Sequence, residues 1–401
     1  MRWLSAGESH GPALGLLLEG LPAGLPLDAA RFDAELARRQ QGHGRGGRMA
    51  IEHDRVEILS GLRHGLTLGS PLLLVVRNLD HSNWAESMRP VGAGATPAEE
   101  VRVPRPGHAD LAGALKYGHH DLRNVLERAS ARETVNRVLA GAVAMQVLEP
   151  LGVQIGSHVT ALGGVVAAET AHPPLDLPAR ELSRRADESA VRCLDPRAAK
   201  EMVQAIDAAR AEGDTLGGVV EVRATGLPAG LGSHVHWDRR LDGRLGAALL
   251  SLPAVKGLEF GAAFRQAAGP GSRAHDALHP AGTPHMVARQ GNLQGGLEGG
   301  MTSGETLWLR LAMKPLSTLG RPLPSVHLDE LRPHSAHRER SDVCALPALS
   351  VVAEHALAWE LAVALLEVFG ADSWDETRRR HGRAHARWES LLGTRPEPGQ
   401  P

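Results

Sequence analysis

The sequence predicts an α+β fold in which two similar halves form one intertwined domain. Short apolar runs that alternate with period two, typical of half-buried strands, are interleaved with longer stretches at helical spacing. Three sequence patterns also recur in the same order along the chain. Their separation is far longer than the period of a solenoid. We therefore expect two α+β halves related by a pseudo-two-fold axis.

The recurring patterns define the two halves. The hexapeptide Gly-Leu-Pro-Ala-Gly-Leu occurs at 20–25 and again at 226–231, each time after a strand pattern and before a helix pattern. The glycine and threonine spacing of 61–69 returns at 296–304, and Leu-Glu followed by glycine at 148–152 returns at 366–370. Since no charged or Ser-rich linker intervenes, we expect a single domain over 1–392. Its repeats span about 1–160 (the first half) and 205–370 (the second half), and 393–401 form a frayed, disordered tail.

The individual elements follow from periodicity and end signals. Residues 14–19 alternate as a strand, and Asp28 is a candidate N-cap for a helix with Phe32 and Leu36 on one face. Strands are predicted at 56–61, 71–76 and 306–313, and helices at 130–149, 349–369 and 372–392, the first ending at Pro150. The stretch 167–185, which has little similarity to the repeats, is predicted to be a surface insertion.

Composition excludes several functional classes. The chain has 44 Lys+Arg against 46 Asp+Glu, a net charge of −2, so it does not coat nucleic acid or membrane by charge alone. Two cysteines, Cys193 and Cys344, cannot form a disulfide framework or a Cys-rich zinc site. Apolar runs such as 138–145 are far shorter than the ~18 residues of a membrane span. We expect a cytoplasmic protein.

Four loops concentrate the residues that could carry chemistry. The first, Gly-Glu-Ser-His-Gly at 7–11, places His10 where glycines allow a close approach to a ligand. The second, 38–48, carries four arginines interleaved with glycine and suits phosphate or carboxylate. It could instead be a solvated or RNA-binding loop, although it has no aromatic residues. A lone histidine is more often structural than catalytic.

The third loop, 105–110, sets His108 beside an arginine and an aspartate after a Pro-Gly turn. The fourth, 128–134, begins a strong helix, where Ser130 and free backbone N–H groups could bind an anion or simply cap the helix. The chain carries no Walker loop, no Gly-x-Ser-x-Gly elbow and no His-Glu-x-x-His motif. These loops together predict a polyanionic ligand held by arginines and helix ends, and no metal site.

These loops also resemble the chorismate synthase family over roughly residues 1–370. The segment 7–24 resembles the family's N-terminal signature, and Ser-Ala-Arg-Glu-Thr at 130–134 resembles the central one. Arg-Ser-Asp at 340–342, with Glu354, is similar to the C-terminal signature, and 105–110, 254–257 and 299–315 lie in the expected order. Six motifs in order make the resemblance specific.

The resemblance implies a lyase in aromatic amino acid biosynthesis. Its members convert 5-enolpyruvylshikimate 3-phosphate to chorismate by 1,4-anti elimination of phosphate, with reduced FMN and no net redox change. A homotetramer and a β-α-β sandwich of sheets enclosing helices are also implied. Since no separate reductase module is evident, reduction of FMN is expected from an external flavin reductase, with NADPH as an indirect reductant. No nucleic-acid or membrane partner is expected.

The resemblance assigns roles residue by residue. His10 is expected to protonate the leaving phosphate, His108 to lie at the pyrimidine edge of the flavin, and Asp342 to relay a proton near N5. Flavin contacts are implied for Arg128, Ala129, Ser130, Pro253, Ala254, Gly299, Lys314, Pro315, Leu316, Ser317, Thr318 and Arg340. Contacts with substrate or NADP are implied for Ser9, Arg39, Arg45, Arg48, Arg105 and Arg132.

Some of these positions depart from the family's usual residues. Departures occur at Ala129, Pro253, Leu316, Ser341 and Val343. They affect the expected flavin contacts and leave His10, His108 and Asp342 in place. The alternatives are another FMN-dependent oxidoreductase acting on an anionic substrate, which would show net hydride transfer, and an RNA-binding protein, which would show a steep salt dependence.

Overall fold

The computed structural model describes residues 1–47, 53–92, 100–168, 172–280, 287–370 and 372–392, with side chains described as far as residue 384. In those ranges the helices are α1 Ala29–Gln40, α2 Asp110–Tyr117, α3 Arg123–Ala129, α4 Thr134–Leu148, α5 Ala179–Asp187, α6 Pro196–Glu212, α7 Leu241–Leu250, α8 Ala263–Ala267, α9 Leu346–Phe369 and α10 Trp374–Leu392.

Most of the strands belong to two antiparallel sheets. The strands are β1 Arg2–Ala6, β2 Ala13–Glu19, β3 Val56–Ser60, β4 Leu62–Arg63, β5 Leu66–Thr67, β6 Leu72–Arg77, β7 Gln154–Leu162, β8 Val165–Val166, β9 Gly218–Thr225, β10 Val255–Phe260, β11 Leu278–Pro280, β12 Val287–Arg289, β13 Leu297–Glu298, β14 Met301–Thr302, β15 Leu307–Met313, β16 Pro324–His327 and β17 Arg332–Ser335. The four-stranded sheet has the order β1-β2-β6-β3, and the five-stranded sheet has the order β10-β15-β9-β7-β8.

The core lies between these sheets and two central helices. Alternation in β2 buries Leu14, Leu16 and Leu18 on one face of the first sheet. Helix α4 packs on β2 and on α9, and α9 packs on β7 and β9 of the second sheet. At Gly141 an added Cβ would lie 2.3 Å from the Cβ of His355. The absence of a side chain at Gly141 therefore allows α4 and α9 to approach closely.

Helix α9 is apolar on nearly every face. By length and composition it could cross a membrane, but 94% of its most apolar stretch is buried inside the protein. A helix that is hydrophobic all round is buried, here in the core of a mixed helix-and-sheet fold. Its first turn follows directly on the segment 340–345, and this connection carries Asp342 to the candidate site.

The same hydrogen bonds recur in the loops that precede α1 and α7. The Thr67 hydroxyl accepts from the Leu25 backbone N–H at 2.9 Å, and the Thr302 hydroxyl accepts from the Leu231 N–H at 2.9 Å. The Thr67 hydroxyl donates in turn to the Pro22 carbonyl at 2.5 Å, and the Thr302 hydroxyl donates to the Pro228 carbonyl at 2.6 Å. These two prolines belong to the two copies of the hexapeptide. The two similar sequence patterns thus adopt similar local structure.

Several predicted elements are confirmed and others need correction. Asp28 caps α1, because its carboxylate accepts from the Ala30 N–H at 3.0 Å. The predicted helix 130–149 starts as a 3-10 turn over Ala131–Glu133, and its α-helical part begins at Thr134. The prediction of 167–185 as a surface insertion was wrong in its last part, because α5 buries Ala179 and Leu182 against β7. Strand β1 was missed.

Candidate active site

His10 lies in the loop between β1 and β2 and is bound to the end of α3. Its backbone N–H donates to Glu127 Oε2 at 2.8 Å, and its Nδ1 lies 2.9 Å from Glu127 Oε1. The neighbouring Ser9 N–H donates to the Glu127 carbonyl at 3.0 Å. Burial alone would raise the pKa of Glu127, but the hydrogen bond from His10 and the charge of Arg123 hold it below its usual value.

Trp84 and Arg123 complete this first cluster. The His10 ring stacks on the Trp84 indole with centroids 4.0 Å apart, and the Arg123 guanidinium lies 4.9 Å from the centroid of the Trp84 ring. Arg123 Nη1 also donates to Glu127 Oε1 at 3.1 Å. Contacts with a flat indole and a shared carboxylate therefore fix the orientation of the His10 imidazole.

Two of the predicted arginines converge on one buried carboxylate. Arg39 Nη2 lies 2.9 Å from Asp54 Oδ2, and Arg132 Nη1 lies 2.7 Å from Asp54 Oδ1. The exposed fractions of these side chains are 5% for Arg39, 3% for Arg132 and 0% for Asp54. Among the described residues this buried cluster therefore combines two cations with one anion, a composition that favours an anionic ligand.

The pKa of Arg39 is lowered mainly by burial and further by neighbouring arginines. Burial lowers it to about 10; Asp54 opposes the shift, while the charges of Arg132 and Arg45 add to it. Within the described part of the chain, Arg39 Nε is buried and has no hydrogen-bond partner. The guanidinium thus remains charged at neutral pH and keeps one donor for a ligand.

Asn78 connects the arginine cluster to the His10 loop. Its Nδ2 donates to the Gly11 carbonyl at 2.7 Å, while its Oδ1 accepts from Arg132 Nε at 2.9 Å. His81, three residues further on, has Nδ1 2.9 Å from the His10 carbonyl. The segment after β6 therefore contacts both the His10 loop and Arg132 of the arginine cluster.

The arginine-rich loop 38–48 also contacts Asp342, the carboxylate predicted from the C-terminal signature. Arg45 Nη1 lies 2.6 Å from Asp342 Oδ2, and the Gly46 N–H donates to Asp342 Oδ1 at 2.6 Å. A Cβ on Gly46 would lie 2.8 Å from the Ser341 carbonyl, so this approach needs glycine. Arg340 forms an ion pair with Asp80, in the 3-10 turn after β6. Arg48 lies outside the described residues.

His108 belongs to a second histidine–carboxylate–arginine cluster. Its Nδ1 lies 2.6 Å from Asp110 Oδ1, and Arg105 Nε donates to Asp110 Oδ2 at 2.8 Å. Arg105 Nη1 reaches the Thr318 hydroxyl at 2.9 Å. Burial pushes the pKa of Asp110 up, but the hydrogen bonds from His108 and Arg105 outweigh it and hold the pKa well below the usual value.

The turn after β15 closes over this second cluster. Lys314 Nζ donates to the Gly107 carbonyl at 2.7 Å, and the Ser317 hydroxyl donates to the same oxygen at 2.8 Å. The Lys314 N–H donates to the carbonyl of Ala254, whose φ of +67° lies in the left-handed region. Burial, and then the charge of Lys256, lowers the pKa of Lys314.

The remaining predicted residues are placed by their neighbours. Arg128 donates to the Ser5 hydroxyl at 2.6 Å and to the Gly7 carbonyl at 3.0 Å, and Ser130 Oγ accepts from the Arg132 N–H at 3.3 Å. The others lie as follows: Ala129 ends α3, Pro253 precedes Ala254, Gly299 lies between β13 and β14, and Pro315 and Leu316 lie between Lys314 and Ser317.

Sequence reasoning missed the partners of the predicted groups. Glu127, Trp84, Asp54 and Asn78 each contact a predicted residue, yet none was proposed. For Glu127 a signal existed, since it precedes the 128–134 motif by one residue. For Asp54, which lies in the polar run Glu-His-Asp-Arg at 52–55 before β3, and for Asn78, which follows Arg77 at the end of β6, the sequence offered no distinguishing pattern.

Histidine–carboxylate pairs beside buried arginines, on a mixed helix-and-sheet scaffold, define an enzyme that does acid–base chemistry on a small anionic substrate. The family model of chorismate synthase matches residues 1–366. A chorismate synthase from Moorella thermoacetica is 58% identical over 375 residues, covering 93% of this chain and 95% of its own length. One from Symbiobacterium thermophilum is 56% identical, covering 94% and 97%.

A solved structure described as a crystal structure of chorismate synthase gives a TM-score of 0.78 at 38% identity, covering 97% of this chain and 98% of its own. The chain belongs to the chorismate synthase family. It is a lyase of the shikimate pathway that forms chorismate. The resemblance inferred from the six sequence motifs is thereby confirmed, and the two alternative functions are not favoured.

Proposed function

We propose that the Arg39–Asp54–Arg132 cluster binds the anionic groups of 5-enolpyruvylshikimate 3-phosphate while His10 protonates the departing phosphate. One observation carries this proposal: two buried guanidiniums share a single buried carboxylate, 2.9 and 2.7 Å away. A phosphate or carboxylate of the substrate would accept hydrogen bonds from these guanidiniums. Asn78 links Arg132 to the loop of His10, so the acid lies next to the anion site.

The elimination removes phosphate and a ring hydrogen from opposite faces of the substrate. The carbon–oxygen bond to phosphate breaks, and the phosphate takes up the proton that His10 delivers. A positioned general acid contributes ~10²–10⁴-fold in rate. Exclusion of water strengthens the ionic contacts that orient the substrate. Arg45 keeps Asp342 in place at 2.6 Å, where the carboxylate can accept and return a proton.

Reduced FMN is the proposed cofactor, and the residues around His108 fit it. The Lys314 amine and the hydroxyls of Ser317 and Thr318 suit phosphate or the polar edge of an isoalloxazine ring. Ala254 and Gly299 hold positive φ values of +67° and +58°, a backbone conformation that is common at ligand-binding sites. When bound, the reduced flavin supplies electron density to the substrate and takes it back with the ring hydrogen.

His108 is assigned to the flavin's pyrimidine edge. Asp110 accepts from its Nδ1 at 2.6 Å, which leaves Nε2 as the atom that can exchange a proton with a ligand. Arg105 neutralises Asp110 and ties it to Thr318. This pair therefore sets the protonation of groups near the flavin, a role separate from that of His10.

The wider proposal covers architecture and cellular context. A pseudo-two-fold β-α-β sandwich is supported by the matched Thr67 and Thr302 hydrogen bonds and by the strand orders β1-β2-β6-β3 and β7-β9-β15-β10. The active form is proposed to be a cytoplasmic homotetramer. An external flavin reductase is proposed to supply reduced FMN, with NADPH as the indirect reductant.

The test is anaerobic turnover of the enolpyruvyl substrate with purified protein. Reduced FMN should give chorismate and phosphate in equal amounts, with no nicotinamide consumed, and oxidised FMN should give none. Equal rates with oxidised FMN would overturn the cofactor proposal. Consumption of one nicotinamide per turnover would instead indicate a net hydride-transfer enzyme.

A further inference from the structure

We propose that Glu127 is a positioning residue that orients His10 for the delivery of a proton to phosphate. This inference rests on the proposed role of His10 as the acid. Glu127 makes two contacts with His10, one with the backbone N–H at 2.8 Å and one with Nδ1 at 2.9 Å. Rotation of the imidazole about its Cβ–Cγ bond would therefore break the Nδ1 contact with Glu127. Movement of the loop would break the backbone contact with the same carboxylate.

The contact selects which ring nitrogen faces the substrate. With Nδ1–H donated to Glu127, only Nε2 remains to carry the proton that phosphate receives. Stacking on Trp84 at a centroid distance of 4.0 Å fixes the plane of the ring. The His10 side chain is only 9% exposed, so the direction of Nε2 is set by these contacts rather than by solvent.

The Glu127 carboxylate is shared between His10 and Arg123. It lies 2.9 Å from His10 Nδ1 and accepts from Arg123 Nη1 at 3.1 Å. Helix α3 supplies both Glu127 and Arg123, and the Arg123 guanidinium lies 4.9 Å from the centroid of the Trp84 ring. One helix therefore contacts both the His10 ring and the indole on which it stacks.

The experiment uses the full chain with reduced FMN, anaerobically, and measures kcat and KM for the enolpyruvyl substrate. Glu127→Gln keeps the shape of the side chain, but its single amide oxygen cannot accept from both the backbone N–H and Nδ1 of His10. At saturating substrate, turnover should fall at least about tenfold, within the ~10²–10⁴-fold contribution of a general acid. KM should stay near the wild-type value, because Glu127 contacts the histidine and not the anion site. Glu127→Asp, which keeps two carboxylate oxygens, should recover part of the lost turnover.

A double-mutant cycle separates positioning from a purely structural role. In a His10→Ala background, Glu127→Gln should lower turnover no further, because the group through which Glu127 acts is gone. The matched control is Glu221→Gln on β9. Glu221 is buried and lies 3.4 Å from His158 Nε2 and 2.7 Å from Arg223, a similar trio on the second sheet. This variant should leave kcat and KM unchanged.

The outcomes distinguish this inference from the proposed function. If wild-type protein with reduced FMN forms no chorismate, the proposed function fails, and the role of Glu127, which rests on it, fails with it. If wild type turns over and Glu127→Gln keeps the wild-type kcat, Glu127 has no positioning role. A loss confined to KM, or additive losses in the cycle, would likewise overturn the assignment. If Glu127→Gln does not fold, a folded Glu127→Asp with a kcat no higher than that of His10→Ala would overturn it.

Discussion

Replacing Asp54 by asparagine should both destabilise the protein and make it respond to phosphate. Asp54 is the one carboxylate in contact with Arg39 and Arg132 in the described structure, and its side chain is fully buried. Asparagine has a similar shape but no charge. The variant would leave two guanidiniums together in a buried place, where each repels the other.

The expected magnitude follows from the burial of the three side chains. At an effective dielectric constant of about 20, opposite charges 4 Å apart attract by roughly 4 kcal/mol. Asp54 makes two such pairs, and their gain is reduced by the repulsion between the arginines. Removing one partner of a buried pair typically costs about 3–5 kcal/mol. With the charge of Asp54 removed from its contacts with both arginines, we expect the free energy of unfolding to fall by about that amount.

Urea unfolding with and without inorganic phosphate measures both effects. Phosphate binds the folded state only, and should raise the unfolding midpoint of Asp54→Asn more than that of wild type. Asp329→Asn is the control, because Asp329 pairs with Arg102 at an exposed position and its loss should change the midpoint little. If Asp54→Asn unfolds at the wild-type midpoint and ignores phosphate, the cluster is not a buried anion site.

Three further predictions concern the two histidines, the stability of the protein at acid pH and the contact between α4 and α9. His108→Ala should change the absorbance of bound reduced FMN, whereas His10→Ala should lower turnover and leave that spectrum near wild type; the reverse pattern contradicts the assignments. Because the folded-state pKa of Asp110 is depressed, the stability it provides is complete above the unfolded value of about 3.9 and is lost as pH falls below it. Urea midpoints should therefore drop below pH 4 in wild type and less steeply in Asp110→Asn. Gly141→Ala should cost about 1–3 kcal/mol through overpacking against α9, while Gly246→Ala on α7, with no atom nearer than 3.9 Å, should be neutral or stabilising.

The sequence predicted those parts of the fold that depend on neighbours along the chain. The Asp28 cap and the alternation of β2 are local patterns, and both are present. Strand β1 was missed because it is an edge strand with Leu4 exposed, so its alternation carries little burial signal. The 3-10 turn before α4 was missed because Ser130 caps that turn rather than the α-helix itself.

The candidate site was predictable in its cations and histidines but not in their partners. Arginines in glycine-rich loops are unusual enough to be noticed one by one. The carboxylates that hold them are ordinary residues until the chain folds, since Asp54 meets Arg132 across 78 positions and Glu127 meets His10 across 117. Only tertiary contacts distinguish such residues from the many other acidic side chains.

The contact between Arg45 and Asp342 also bears on how the enzyme is made. The two residues are separated by 297 positions, so during synthesis the arginine leaves the ribosome long before its partner exists. Domains fold largely as units as the chain emerges. A nascent chain that already contains His10 and the arginine-rich loop lacks Asp342, which contacts this loop. That residue is added only when most of the chain has been synthesised. A product truncated before residue 342 would therefore lack both the carboxylate that pairs with Arg45 and the helix α9 that follows it.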